Sequence, residues 1–389
     1  MRTFPLPTKV YRGKKMKMPM IALLLFSTWM SAQDSRYLVT KTSVPCTNAM
    51  TDTFKGKWID NKDNTDFGGL NRRQSGEAVT RVNAIQQLVV AAYPSPVGAW
   101  ASWNAALVDT SFADQVKYEM NQNNMLNEEK IKTNPVSRLQ YNLILSPFSC
   151  HGADEIWNIY PNITGNTGLT IHANYLPILN GQVLNEEGMT IDGRPIKYKM
   201  PTMGTWKGYE MMTPEGGANA QLFSVHYVLI SRKGMLPYIP VTRRQYLERA
   251  LKYINNYFNK GASELDQVSD SEERENLKKA LIESKNETLM RYQEELKRTT
   301  NEGKLDSAAI VAGPTIIDPD AKSIFSTEAE GGRMLVTENP NYFRRDLPKY
   351  VPQFFVLELS WANAPWSLNF RKAIEENFPV GDLLEMIDK

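Results

Sequence analysis

The stretch LFSVHYVLISRKGMLPYIPVTRRQYLERALKYINNYF, residues 222–258, changes its period halfway along. Residues 222–231 form a run rich in apolar and β-branched side chains, which predicts a strand. After Pro240 the spacing becomes helical. Thr242 and Gln245 stand three apart and make a capping box, in which the hydroxyl takes the Gln245 N–H and the amide reaches back. Tyr246, Leu247, Ala250, Leu251, Ile254 and Phe258 then fall on one helical face, and Gly261 is a natural stop.

Upstream, residues 76–92 carry Val79, Val82, Ile85, Leu88 and Val89 at helical spacing, beginning at Ser75 and ended by Pro94 and Pro96. Residues 139–148 are a compact apolar run, read as a strand or buried segment limited by Pro147. Residues 169–176, 196–200 and 208–212 read as further strands, with an Asp192-Gly193 turn and a second turn over 213–220. One helix followed by several antiparallel strands is the pattern of an α+β layer, similar to a cystatin-like or NTF2-like curved sheet.

Downstream, Ser269 and Glu272 offer another capping box. A charged helix then runs to about Arg298 with Leu277, Leu281, Leu289, Tyr292 and Leu296. Ser284, Lys285 and Thr288 interrupt any heptad seam. Residues 353–361 are apolar at nearly every position, the pattern of a strand buried on both faces, and helices are expected over 367–377 and 381–388. The fold class expected is α+β: an antiparallel sheet with packed helices and an inserted charged helical hairpin. The expected organisation is a signal peptide over 1–32, a polar turn-rich segment over 33–75, an α+β domain over 76–240, the hairpin over 241–302, and a segment over 303–389 returning to the α+β domain.

The leader rests on charge and length. Arg2, Lys9, Arg12, Lys14, Lys15 and Lys17 precede a short apolar run over 18–29, followed by Ser31-Ala32-Gln33. A basic region, a short apolar region and a small residue describe a secretory signal, and the apolar run is too short for a comfortable span. No later segment is apolar enough to span a bilayer. Export to a periplasmic or extracellular space makes Cys46 and Cys150 a candidate disulfide, the alternative being two buried thiols. Among 389 residues, 42% are apolar and 23% charged, enough for a sizeable core. The formal charge of +2 belongs to the leader, because removing its six cations and no acid leaves −4. Nucleic acid is therefore not an expected partner.

Several phrases resemble those of exported Bacteroidetes proteins of unknown function. They are the Ser31-Ala32-Gln33 signal end, residues 232–243, residues 347–354 and the closing Met386-Ile387-Asp388-Lys389. The resemblance covers roughly the second half of the chain. It implies a Gram-negative envelope location and brings no catalytic residues.

Phosphate-cradling, dinucleotide, zincin and nucleophile-elbow motifs are absent. The best polar constellation is Ser149–Glu155, in which His151 could act as a base with Asp154 orienting it. Sequence neighbours seldom converge on one substrate, and an oxidised Cys150 is no nucleophile. Isolated His172 and His226 lie in strands, where a satisfied or half-exposed histidine is the ordinary reading. Glu186-Glu187 and the pair Asp318 and Asp320 could serve glycoside chemistry but read as turns. The oxygen-rich run over 60–66, followed by Gly68-Gly69, has no phase that supplies both the glycine at position six and the glutamate at position twelve of a calcium loop. Trp100 with Trp103, and Trp361 with Trp366, are core candidates before they are stacking surfaces. No cofactor or metal is expected. The function expected is non-catalytic partner or ligand binding by an exported soluble envelope protein, through helices 242–298 or exposed aromatics. The alternative is a hydrolase of envelope polymer or glycan using His151 and Asp154.

Overall fold

The computed structural model describes residues 40–42, 46–59, 65–67, 70–108, 137–153, 156–161, 167–179, 189–214, 223–313, 316 and 323–389. In chain order the N-terminal part holds β1 (Thr40–Thr42), α1 (Asn48–Thr51), β2 (Trp58–Ile59), β3 (Thr65–Asp66) and α2 (Arg72–Ala92). Next come β4 (Ala99–Val108), β5 (Arg138–Ala153), β6 (Ile156–Pro161) and β7 (Gly168–Ala173). Short pieces follow: β8 (Thr190–Ile191), β9 (Arg194–Pro195), β10 (Lys197–Tyr198), β11 (Thr202–Trp206) and β12 (Tyr209–Met212). The chain continues through β13 (Phe223–Ile230), β14 (Tyr238–Pro240), α3 (Arg243–Leu265) and α4 (Ser271–Asn301). It closes with β15 (Ile310–Val311), β16 (Arg333–Glu338), β17 (Phe355–Ala362), α5 (Pro365–Asn377) and α6 (Val380–Leu384). The class is α+β.

The main sheet runs β1-β6-β5-β7-β17-β13-β12-β11, with β4 beside β5 and the short β2 and β3 along β4. Among the described residues, β2 and β3 pair parallel with β4 and every other pairing is antiparallel. β17 is the late arrival, lying between β7 and β13.

Odd positions of β4, β5, β7 and β17 face one way. Trp103, Leu107, Leu139, Tyr141, Leu143, Ile171, Leu357 and Trp361 join Val82, Ile85 and Val89 of α2 and Phe370 and Ile374 of α5 in the principal core. The alternation follows from the two-residue period of a strand. The other face is partly covered by a second sheet, β10-β16-β14 with β15. Val356 and Leu229 meet Val336, Met200, Tyr342 and Phe354 between the sheets. The far side of the small sheet presents Tyr198 and Leu335 to Tyr246, Leu247, Ile254 and Phe258 of α3 and Tyr292 of α4. Layers therefore alternate: helices, large sheet, small sheet, helix pair.

Several local expectations need adjustment. The first helix begins a turn early, because Asn71 caps it with Gln74 in a reciprocal box. α4 is capped by Asp270, whose carboxylate accepts from the Glu272 and Glu273 N–H groups, instead of by Ser269. Gly261 does not stop α3, which runs on to Leu265; a Cβ there would make only an ordinary contact, 3.5 Å from the Leu281 side chain. Pro147 does not end β5. It is the last residue paired with β4, opposite Ala99, and the strand then continues by pairing Phe148–Ala153 with β6. β17 is apolar on both faces only at its start, since Glu358 and Ser360 are half-buried on the second face.

Cys46 and Cys150 form a disulfide with Cα atoms 6.0 Å apart, closing 104 residues of chain. It ties the N-terminal segment to the far end of β5, over a small cluster of Trp100, Phe148 and Ile159. Among the described residues no helix is long and apolar enough to cross a membrane.

Candidate functional site

Even positions of the central strands lie on the large sheet's second face, and beyond the small sheet most of them are polar. Register aligns them. Asn104 pairs with Asn142, Asn142 with Thr170, Thr170 with Glu358 and Glu358 with Tyr227, so five polar residues form one row across five strands. The neighbouring row holds Gln140 and His172, with Arg138 one step further. Interstrand spacings of about 4.8 Å put Asn104 about 14 Å from Glu358.

These side chains are bonded to one another in a directed order. Arg138 donates to Gln140; Gln140 Nε2 donates to Asn142 Oδ1 at 2.6 Å; Asn142 Nδ2 donates to Asn104 Oδ1 at 2.7 Å. Among the described residues the Asn104 amide N–H groups have no partner, so the branch ends in donors. A second branch runs the other way. Arg138 Nη2 lies 3.3 Å from His172 Nδ1, and His172 Nε2 lies 3.0 Å from Glu358 Oε2. A guanidinium can only donate, so Nδ1 accepts and Nε2 carries the proton given to Glu358. The Tyr227 hydroxyl also bonds Glu358. The carboxylate is 30% exposed and keeps acceptor capacity on its open side.

Electrostatics holds the centre of the network in one state. His172 is 3% exposed, and burial pushes its pKa down, with Arg138 adding and Glu358 opposing. Burial likewise lowers the Arg138 pKa, and the guanidinium lies 3.6 Å from the Tyr175 ring centroid. Burial foremost, together with Glu358, keeps the Tyr227 hydroxyl protonated. The face therefore carries one fixed cation and one carboxylate, linked by a neutral imidazole whose two nitrogens are both engaged. That is an arrangement for holding a ligand. His172 has no free nitrogen with which to take a proton from substrate.

The residues singled out from sequence fare differently. The backbone of His151 lies in β5 opposite Asn158, while Asp154, the pair Glu186 and Glu187, the pair Asp318 and Asp320, and most of the run over 60–66 lie outside the described residues. Trp100, Trp103, Trp361 and Trp366 are all buried and form no stacking surface. His226 packs edge-on against Trp361, 4.5 Å between ring centres, with Nδ1 buried and unpartnered. Arg244 pairs with Asp306 at 3.3 Å, and Arg243 lies over Phe325, so distant contacts accommodate that basic pair at the α3 terminus. The helix pair α3/α4 spends its apolar face on the small sheet and leaves only scattered exposed apolar residues, Tyr257, Leu277, Ile282 and Met290. Among the described residues no three His, Cys, Asp or Glu side chains stand together as a metal site.

The phrases at 232–243, 347–354 and 386–389 converge on one side chain. Arg232 Nε donates to Asp388 Oδ2 at 2.7 Å, Nη2 donates to Gln353 Oε1 at 3.1 Å, and the guanidinium lies 4.5 Å from the Tyr342 ring centroid. Gln353 is fully buried and its N–H donates to Asn174. This hub locks the C-terminal segment to β13 and has a structural explanation. No protein-family model, curated protein or solved structure matches this chain.

Proposed function

We propose that this chain is an exported, non-catalytic binding protein that holds an uncharged, hydroxyl-rich ligand, of short-oligosaccharide size, against the polar face of its large sheet. The carrying observation is the bonded row from Asn104 to Glu358, with N–H donors unpaired among the described residues at one end and a half-open carboxylate at the other. Hydroxyl groups can answer both, since each donates and accepts. Preformed side chains lose little freedom on binding, which favours affinity. Ile144, 37% exposed on the same face, offers an apolar patch for a sugar ring. Export rests on the basic leader over 1–32 and on the resemblance to exported Bacteroidetes proteins, and the disulfide fits an oxidising compartment.

The test follows the side-chain amide resonances of Asn104, Gln140 and Asn142 while neutral trisaccharides of glucose, xylose and N-acetylglucosamine are titrated in. Saturable shifts confined to these amides, weakened about tenfold in Asn142→Ala, support the proposal. If no sugar moves them, or if Asn142→Ala binds as well as the parent, the proposal fails. N-terminal sequencing of protein recovered from the cell envelope tests the leader separately, and an intact residue 1 would refute it.

A further inference from the structure

A concavity lies at the opposite edge of the large sheet, away from the polar row. It is a groove of about 650 Å³ whose lining includes Lys207, Glu210, Lys233, Met235, Leu236 and Leu384. Its volume falls in the range of small-ligand sites.

The walls are held firmly. Lys207 and Gly208 form the two-residue turn between β11 and β12, with φ of 50° and 87°. Both positive values suit the tight hairpin twist, and a lysine accepts that backbone here because its ammonium reaches the end of α5. Nζ donates to the carbonyls of Glu376 at 3.0 Å and Phe378 at 2.8 Å. On the other wall, the Leu236 carbonyl accepts from Asn339 Nδ2 at 2.9 Å and the Pro237 carbonyl accepts from the Asn339 N–H. That fixed backbone displays Met235 at 41% and Leu236 at 43% exposure.

Charge is unbalanced in the groove. Glu210 is answered by Lys199, Thr202 and Tyr238, and Arg232 by Asp388. Among the described residues, Lys207 and Lys233 have no carboxylate partner. Two ammonium groups, Lys233 and a Lys207 engaged by backbone carbonyls, therefore adjoin two exposed aliphatic side chains on an ordered loop. We infer that this groove binds an amphipathic anion, a carboxylate carrying an aliphatic chain, with the head at Lys207 and Lys233 and the chain along Met235, Leu236 and Leu384. Solvent-exposed methylenes gain on being covered, and the desolvated head gains a counter-ion.

The probe is dodecanoate, titrated calorimetrically into the full chain below its micelle concentration, with dodecyl maltoside as an uncharged amphiphile of the same tail. One saturable site for dodecanoate, binding at least tenfold tighter than dodecyl maltoside, is expected. Leu236→Ser should weaken it about tenfold through lost apolar cover. Lys233→Gln should weaken it about threefold to fivefold, a difference that disappears in 1 M salt as screening removes the attraction. Both positions are on the surface, and an unchanged thermal midpoint certifies each variant. Unsaturable uptake, equal affinity for the uncharged amphiphile, or variants that bind like the parent would each overturn the inference.

Discussion

Lys197 lies on the face of β10 that meets the large sheet, opposite Val336, and is 1% exposed with Nζ 3.8 Å from Glu338 Oε1. Burial lowers its pKa to about 8 from the ordinary 10.5, with Glu338 opposing the fall. In neutral solution folded and unfolded chains both carry the proton, and the fold bears the net cost of holding the charge there, roughly 3 kcal/mol. Between pH 8 and 10.5 the unfolded chain still binds a proton that the folded chain has released. Stability therefore rises with pH through that window, at about 1.4 kcal/mol per pH unit where the difference is one full proton. Tyr141 and Tyr227 have pKa values raised by burial, so they begin to oppose this gain only above about pH 10, where unfolded tyrosine ionises. Urea unfolding of the parent and of Lys197→Met at pH 7, 8, 9 and 9.5 isolates the lysine as the difference between two curves. The difference should narrow from pH 7 or widen in the parent's favour by about 2 kcal/mol on reaching pH 9.5. Lys197→Met alone strands Glu338, 13% exposed, so Lys197→Met/Glu338→Leu should be the more stable variant at pH 7. Parallel curves from pH 7 to 9.5 would refute the claim that the ammonium is held down.

Other outcomes follow from the same structure. His172 has a lowered pKa, so the unfolded chain takes up a proton near pH 6.5 that the folded chain refuses; thermal midpoints should fall below that pH, and His172→Gln should blunt the fall. Cys46→Ser/Cys150→Ser should lose about 2–4 kcal/mol in urea, and dithiothreitol should destabilise the parent but not this variant. Phe370→Ala, at a fully buried position of α5, should cost about 3–5 kcal/mol, whereas Leu368→Ala, 39% exposed on the same helix, should stay within about 0.5 kcal/mol.

The strands β13 and β17 and the start of α3 are legible because burial and capping are written locally: Val, Ile and Leu in unbroken runs, and Thr242 three residues before Gln245. β4 is not legible. Ala99, Ala101 and Ala105 have little preference for strands, and they are used here because small side chains let the sheet lie close to its helix layer. The α2 start hides in a polar run, since an asparagine cap with a glutamine partner looks like any turn.

The candidate site divides along the same line. Arg138, Gln140 and Asn142 alternate with Leu139, Tyr141 and Leu143, and that period-two pattern of polar residues is present in the chain. Their partners are not foreseeable. His172 and Glu358 stand 186 residues apart and meet only because β17 enters beside β7 in one register; a slip of one residue would turn Glu358 into the core. Sequence adjacency favoured His151 and Asp154, whereas strand pairing assembled the row from five separate segments.

β17 also has a consequence for the order of synthesis. It occupies the middle of the sheet, yet the ribosome makes it 125 residues after β13 is complete. At about 5–20 residues per second, that interval lasts roughly 6–25 s. During it, β7 and β13 each present an unpaired edge to the other, and no contiguous hydrogen-bonded layer joins the two halves. Arrival of residues 355–362 supplies the missing ladder on both sides at once. The nascent chain is consequently obliged to wait, and its last major strand acts as the bolt that turns two half-sheets into one.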